Sequence, residues 1–201
     1  MTPVLTLDAA GEGFSAGVVG DTVLAERWQV GARGSAGALP AMTAAVLREA
    51  GVVADGLEMV AVTIGPGSFT GLRAALSLAQ GIGLAVGIPV IGVTVGEALW
   101  RPTPGRVLWV AVDSRRGRVF LERDGLVRSL ALAAVPDPLG PLALAGDAAP
   151  AVAAHLLTRG CDVLLLDNCC PTPLGIAQAV RRGPGRPAQP LYVDPPEARP
   201  S

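Results

Sequence analysis

The chain of 201 residues contains no lysine; all 16 of its basic residues are arginine. This excludes a Walker-type phosphate loop, which needs Gly-Lys-Ser/Thr, and pyridoxal chemistry, which needs a Schiff-base lysine. Histidine occurs once, at His155, within an Ala-rich stretch where it reads as an ordinary half-buried helix residue. A serine nucleophile would have only that one base available. Aromatic residues make up 3%, so a core drawn from the 50% hydrophobic residues must be built of Ala, Val, Leu and Gly. The three cysteines, Cys161, Cys169 and Cys170, are odd in number and two are adjacent, which is unlike a disulfide framework and points to a reducing cytosol. No second pair accompanies Cys169-Cys170 to make a metal site. A net charge of −1 offers no general attraction for nucleic acid or membrane, and Arg115, Arg116 and Arg118 read as a solvated turn by default, with contact to RNA as the alternative. The N-terminus has neither a basic segment nor a signal-type apolar run. The uncharged run from Ala74 to Gly96 is punctuated by Gly81, Gly83, Gly87 and Pro89. Each piece falls short of the ~20 residues that span a bilayer. A helix followed by a buried strand is expected instead, in a cytoplasmic protein with no membrane contact.

What is present is a pattern given twice. Val4–Leu7, Phe14–Val19 and Thr22–Val30 read as three meandering strands, the first ending at Asp8 and the second pair joined at Gly20-Asp21. Leu39, Met42, Val46, Leu47 and Ala50 recur at helical spacing until Gly51. A strand over Met59–Ile64, a long helix over Ser68–Val86, a strand over Pro89–Val93 and a short helix over Val95–Trp100 follow. After Pro102 and Pro104 the pattern restarts. Strands over Val107–Val112, Val119–Glu122 and Leu126–Leu130 have Asp113 where the first half has Asp8. A strand over Leu142–Ala145, a helix over Ala149–Leu157, a strand over Val163–Leu166 and a helix over Leu174–Arg182 complete it. The pattern predicts two related βββαβα halves, 1–104 and 105–201, the second reduced around Ala131–Pro141.

The segment Gly65-Pro66-Gly67-Ser68-Phe69-Thr70-Gly71-Leu72-Arg73 lies between a predicted strand and a predicted helix. Its glycines permit a sharp turn and a close backbone approach, and Ser68 or Thr70 can cap the helix. Such a helix start could receive a phosphate, or the segment could be a tight turn and nothing more. Along the following helix Gly71, Ala75, Ala79 and Gly83 recur every four residues. This stripe would let another helix pack closely, either one from the chain itself or one from a partner.

Continued by Gln80–Ala85, Gly87-Ile88-Pro89 and Gly92-Val93, the segment closely resembles the TsaB (YeaZ) family of tRNA threonylcarbamoyladenosine biosynthesis proteins. The resemblance returns in Val110–Gly117, in Pro190-Leu191-Tyr192-Val193 and in Pro196-Glu197-Ala198, and is weak over Ala131–Pro184. It implies an α/β fold of the actin, sugar kinase and heat-shock ATPase (ASKHA) type. It also implies a non-catalytic subunit supporting a metal-bearing TsaD-like catalytic subunit, joined by a TsaE-like ATPase. Contact with tRNA would be indirect, and the chain alone could form a homodimer. ATP or ADP with Mg²⁺ would bind only at a complex interface. The small-residue stripe would face the partner, while Gly65, Gly67, Ser68, Thr70, Arg73, Asp8 and Asp113 would lie near that interface. A single histidine cannot reproduce the histidine pair that holds the metal in the catalytic subunit. Two departures stand out: Asp8-Ala9-Ala10 replaces the family's Asp-Thr-Ser, and Ser35 stands where a His often occurs. Asp8 and Asp113 read either as remnants of Mg²⁺-organising carboxylates or as turn caps after strands, the turn role fitting Asp8 better. The alternatives to an accessory subunit are an independent kinase or peptidase-like enzyme and a homodimeric binding module.

Overall fold

The computed structural model describes residues 1–30 and 35–193. The family-like Pro196-Glu197-Ala198 lies outside them, as does the side chain of Ser35. The first half opens with three strands, β1 (Val4–Asp8), β2 (Gly13–Val19) and β3 (Val23–Val30). Helix α1 (Leu39–Ala50) ends at Gly51, whose φ of 65° is the left-handed conformation that glycine adopts freely. Strand β4 (Met59–Gly65), helix α2 (Phe69–Val86), strand β5 (Val90–Thr94) and helix α3 (Val95–Leu99) follow. By length and composition alone α2, with mean hydropathy 1.3, would pass for a membrane span; here one face of it lies on the sheet. Gly81 and Gly83 do not interrupt it, and Gly87 ends it.

The second half repeats the meander as β6 (Val107–Asp113), β7 (Arg118–Arg123) and β8 (Leu126–Ala131). Where the first half has α1, this half has only a 3-10 turn at Leu132–Ala134. Strand β9 (Leu142–Ala145), helix α4 (Ala149–Leu157), strand β10 (Val163–Leu165) and helix α5 (Pro173–Arg182) complete the repeat. A two-residue strand, β11 (Arg186–Pro187), was not legible in the sequence.

The strands form two sheets, ordered β11-β5-β4-β1-β2-β3 and β10-β9-β6-β7-β8. In each, the first strand pairs antiparallel with the second and parallel with the fourth. Period-2 alternation divides β1 between the faces of its sheet. Leu5 and Leu7 pack with Leu39, Val46, Ala75 and Ala79 under α1 and α2. Val4 packs on the other face with Ala61, Val93, Ala98 and Ile176.

Ile176 belongs to α5, so the division into 1–104 and 105–201 needs correction. Helix α5 covers the first sheet, and β11 pairs with β5 at that sheet's edge. The reason is burial: the five-residue α3 is too short to cover that sheet face alone. A third apolar cluster joins the halves, bringing Ala10, Leu72, Val95 and Leu99 against Val110, Val112 and Ala145. Beside it the buried Glu122 of β7 accepts hydrogen bonds from Thr94 Oγ1 (2.5 Å) and from the Gly96 amide (2.9 Å), capping α3 from the opposite half.

Candidate functional site

The carboxylates that end β1 and β6 occupy matching places but different surroundings. Asp8 is 5% exposed. Its Oδ1 accepts hydrogen bonds from Thr63 Oγ1 (2.5 Å) and from the Ala10 amide (3.1 Å). Burial pushes its pKa up to about 6, although the Thr63 hydrogen bond pulls the other way. It is thus a turn-forming carboxyl tied to the neighbouring strand.

Asp113 is half-exposed and accepts from the Arg115 amide at 2.8 Å, while its own amide donates to Asp147 Oδ1 at 2.8 Å. Arg115 has the unusual φ of 60° for a residue with a side chain. From there its guanidinium reaches Asp147 Oδ2 at 3.3 Å, approaches Asp113 Oδ2 at 3.9 Å, and pairs with Glu12 of the first half. The mouth between the halves therefore holds an arginine shared by three carboxylates. Sequence reasoning missed Glu12 and Asp147. The signal for Asp147 was the repeat itself: Gly146-Asp147 follows β9 as the Gly65 segment follows β4.

The Gly65–Gly71 turn is pressed against the turn after β1. The Ser68 amide donates to the Ala10 carbonyl at 2.7 Å, and Ser68 Oγ accepts from the Gly71 amide at 3.2 Å, capping α2. A Cβ on Gly67 would stand 2.2 Å from the Ala10 oxygen, and one on Gly71 would stand 2.2 Å from the Ala9 oxygen. Ala9 and Ala10 are each 4% exposed. Of the two readings of this segment, the tight turn is the one its backbone contacts match. The second half uses the same device: a Cβ on Gly146 would meet the Ala111 oxygen at 2.1 Å.

Carbonyl oxygens face the start of α2, and Arg115 is already matched by carboxylates. Among the described residues no group of three His, Cys, Asp or Glu side chains is arranged to hold a metal ion. Cys169 is exposed, Cys170 is half-buried, and His155 lies on α4 with Nε2 3.4 Å from Arg159 Nη1.

Arg73 and the exposed Thr70 lie on the outer side of the turn. The Arg73 guanidinium sits 4.0 Å over the Phe69 ring and donates to the Tyr192 hydroxyl at 2.9 Å. The Phe69 and Tyr192 rings are 6.1 Å apart. The family-like tail is thereby brought onto the family-like loop, where the Leu191 amide donates to the Ile64 carbonyl at 2.8 Å.

The small-residue stripe requires a second correction, because it faces the chain's own sheet. Ala75 and Ala79 are 0% exposed, and a Cβ on Gly83 would meet Val90 Cγ2 at 2.3 Å. Small side chains bring α2 close to β5 and to the turn after β1. The outer face of α2 carries Phe69, Arg73, Ser77, Gly81, Leu84 and Ala85, all exposed, with Leu84 at 88%.

A family model described as "TsaD: tRNA N6-adenosine threonylcarbamoyltransferase" matches residues 29–138. An uncharacterized protein of Mycobacterium tuberculosis is 37% identical over 209 residues, covering 100% of this chain and 95% of its own length. The tRNA threonylcarbamoyladenosine biosynthesis protein TsaB of Escherichia coli is 29% identical over 121 residues, covering 58% of this chain and 52% of that protein. The structure of YeaZ from Pseudomonas aeruginosa superposes with a TM-score of 0.75 at 24% identity, covering 96% of this chain and 100% of that one. The fold is of the ASKHA type, as the family resemblance implied, and its two sheets carry the duplicated meander. With the model matched over more than half its length, and with the glycine-rich turn, the Tyr192 tail and the paired sheets in place, the chain belongs to the TsaD family and, within it, to the TsaB (YeaZ) group.

Proposed function

We propose that the chain is a non-catalytic subunit of the machinery that installs threonylcarbamoyl on the adenosine beside the tRNA anticodon. In this reading it docks a TsaD-type catalytic subunit through the outer face of α2, and a TsaE-type ATPase joins the assembly. Nucleotide and Mg²⁺ bind where the subunits meet, and tRNA is held mainly by the partners. Family membership supports the pathway. The observation that carries the subunit role is the arrangement where the halves meet: the glycine turn fills the place beside Ala9-Ala10, and Arg115 is held by Glu12, Asp113 and Asp147. The docking face is supported by the exposure of the apolar Phe69, Leu84 and Ala85 on a helix whose other side is packed. Exposed apolar surface of this kind marks interaction sites.

The test is reconstitution. The purified chain, given ATP, bicarbonate, threonine and tRNA, is expected to produce no modified adenosine, and modification is expected once the adenylate-forming enzyme and the partners are added. Leu84→Asp should melt like the parent, lose binding to the TsaD-type subunit in calorimetry and lose the reconstituted activity. Modification by the chain alone would end the accessory reading. Full affinity in a folded Leu84→Asp protein would move the docking face elsewhere.

A further inference from the structure

Away from the mouth between the halves, a cleft of about 520 Å³ opens between α3, the end of α5 and β11. Trp100, Arg182, Arg186 and the Gly183-Pro184-Gly185 turn line it. It is built around an arginine lying on an indole: Arg182 Cζ is 4.5 Å from the Trp100 ring centre, and Nη2 donates to the Glu97 carbonyl at 2.7 Å. The nearest carboxylate is committed elsewhere. Glu97 takes Arg186 Nε on Oε1 at 2.8 Å and the Thr94 amide on Oε2 at 2.8 Å. Behind it, Glu122 is occupied by Thr94 and Gly96. Among the described residues no carboxylate lies within ion-pair distance of Arg182.

The geometry points to this cleft as a binding site for a small organic oxyanion, a phosphate monoester or a carboxylate, held by the guanidinium edge of Arg182. With its face on the indole and one donor fixed on Glu97, the guanidinium is pre-set in orientation and keeps donors for a planar or tetrahedral anion. Burial pulls the pKa of Arg182 down from its ordinary value, the mark of a cation whose desolvation is only partly offset, here by Glu97. The volume is that of a small-molecule pocket, roomy enough for a ring beside the anion. The space beside Gly183 is open, since a Cβ there would meet nothing within 4 Å.

Trp100 is 47% exposed and serves as the reporter. The full-length chain is titrated with phenyl phosphate, benzoate and the neutral benzyl alcohol, read by tryptophan fluorescence and by calorimetry. Saturable binding of one or both anions is expected, with benzyl alcohol inert; the tighter anion tells phosphate from carboxylate. Trp100→Phe should remove the optical signal. Arg182→Gln should weaken binding about tenfold or more, and Arg128→Gln, on β8, should not. Gly183→Glu, which places a carboxylate beside Arg182 without crowding, should abolish binding in a chain that melts normally, so the test stands even if Arg182→Gln misfolds. No saturable binding up to on the order of 10 mM, equal binding of benzyl alcohol, or undiminished affinity in folded Arg182→Gln or Gly183→Glu would each overturn the site.

Discussion

At the scale of single residues, Asp8 and Asp113 stand at matching ends of matching strands, which the repeat made legible. What differs is their surroundings, and those depend on distant residues. Thr63 is 55 positions from Asp8, and Glu12 is 103 from Arg115. No local pattern announces such pairs, so Arg115 looked like one of several arginines on a turn. The burial of Asp8 has a consequence for pH. Its pKa rises from 3.8 to about 6 on folding, chiefly through desolvation. The unfolded chain therefore gives up this proton first, and between pH 4 and 6 the native state binds more protons than the unfolded one. Stability then falls as pH rises through that window, by about 3 kcal/mol for a shift of this size. Asp8→Asn can keep the acceptor for Thr63 and Ala10 but cannot ionise. Thermal melts of parent and variant across pH 4 to 7 should diverge, the parent losing ground as pH rises. The carboxyls of the buried Glu122 and the partly buried Asp147, shifted the same way by desolvation, are present in both proteins and cancel in the comparison. Parallel melting curves would show that Asp8 is not the group responsible.

At the scale of elements, nearly every helix and strand was visible as periodicity, and the errors lie in which face does what. Helix α2 is the clearest case. It is apolar around most of its circumference, so its pattern could not say which stripe goes inward. Packing geometry decides: Gly71 must clear the Ala9 oxygen and Gly83 must clear Val90, so the small residues face the sheet and the larger Leu84 points out. Placing an arginine at Ala79, which is 0% exposed, would bury a charge among Leu5, Val60 and Val62. An unpaired buried charge costs several kcal/mol, against a total stability of about 5–15 kcal/mol. Ala79→Arg is therefore expected to be insoluble or to lose its cooperative melt by circular dichroism. A folded, stable Ala79→Arg protein would mean that this stripe is not packed as described.

At the scale of the whole molecule, the sequence shows two halves but not how they share their parts. The last helix follows the second half's strands, yet it buries Ile176 and Ala177 on the first half's sheet. Periodicity identifies α5 as a helix with an apolar face and is silent about which sheet that face meets. β11, two residues long and containing a proline, leaves no periodic trace at all. The halves are further joined by the Leu72–Val112 apolar cluster, by the cap that Glu122 places on α3, and by the Glu12–Arg115 ion pair. Cutting the chain at residue 104 would remove α5 and leave Val4, Ala61 and Val93 without their cover. It would also expose Leu72, Val95 and Leu99, which pack on the second half. A fragment of residues 1–104 should therefore show strand and helix content by circular dichroism but no sharp melt, and should bind hydrophobic dyes. The full chain should unfold in one transition, with circular dichroism and tryptophan fluorescence coinciding, because Trp109 and Trp100 lie on opposite sides of the junction. Non-coincident transitions, or a 1–104 fragment that melts cooperatively near the temperature of the parent, would show that the first sheet stands without the helix that the second half returns to it.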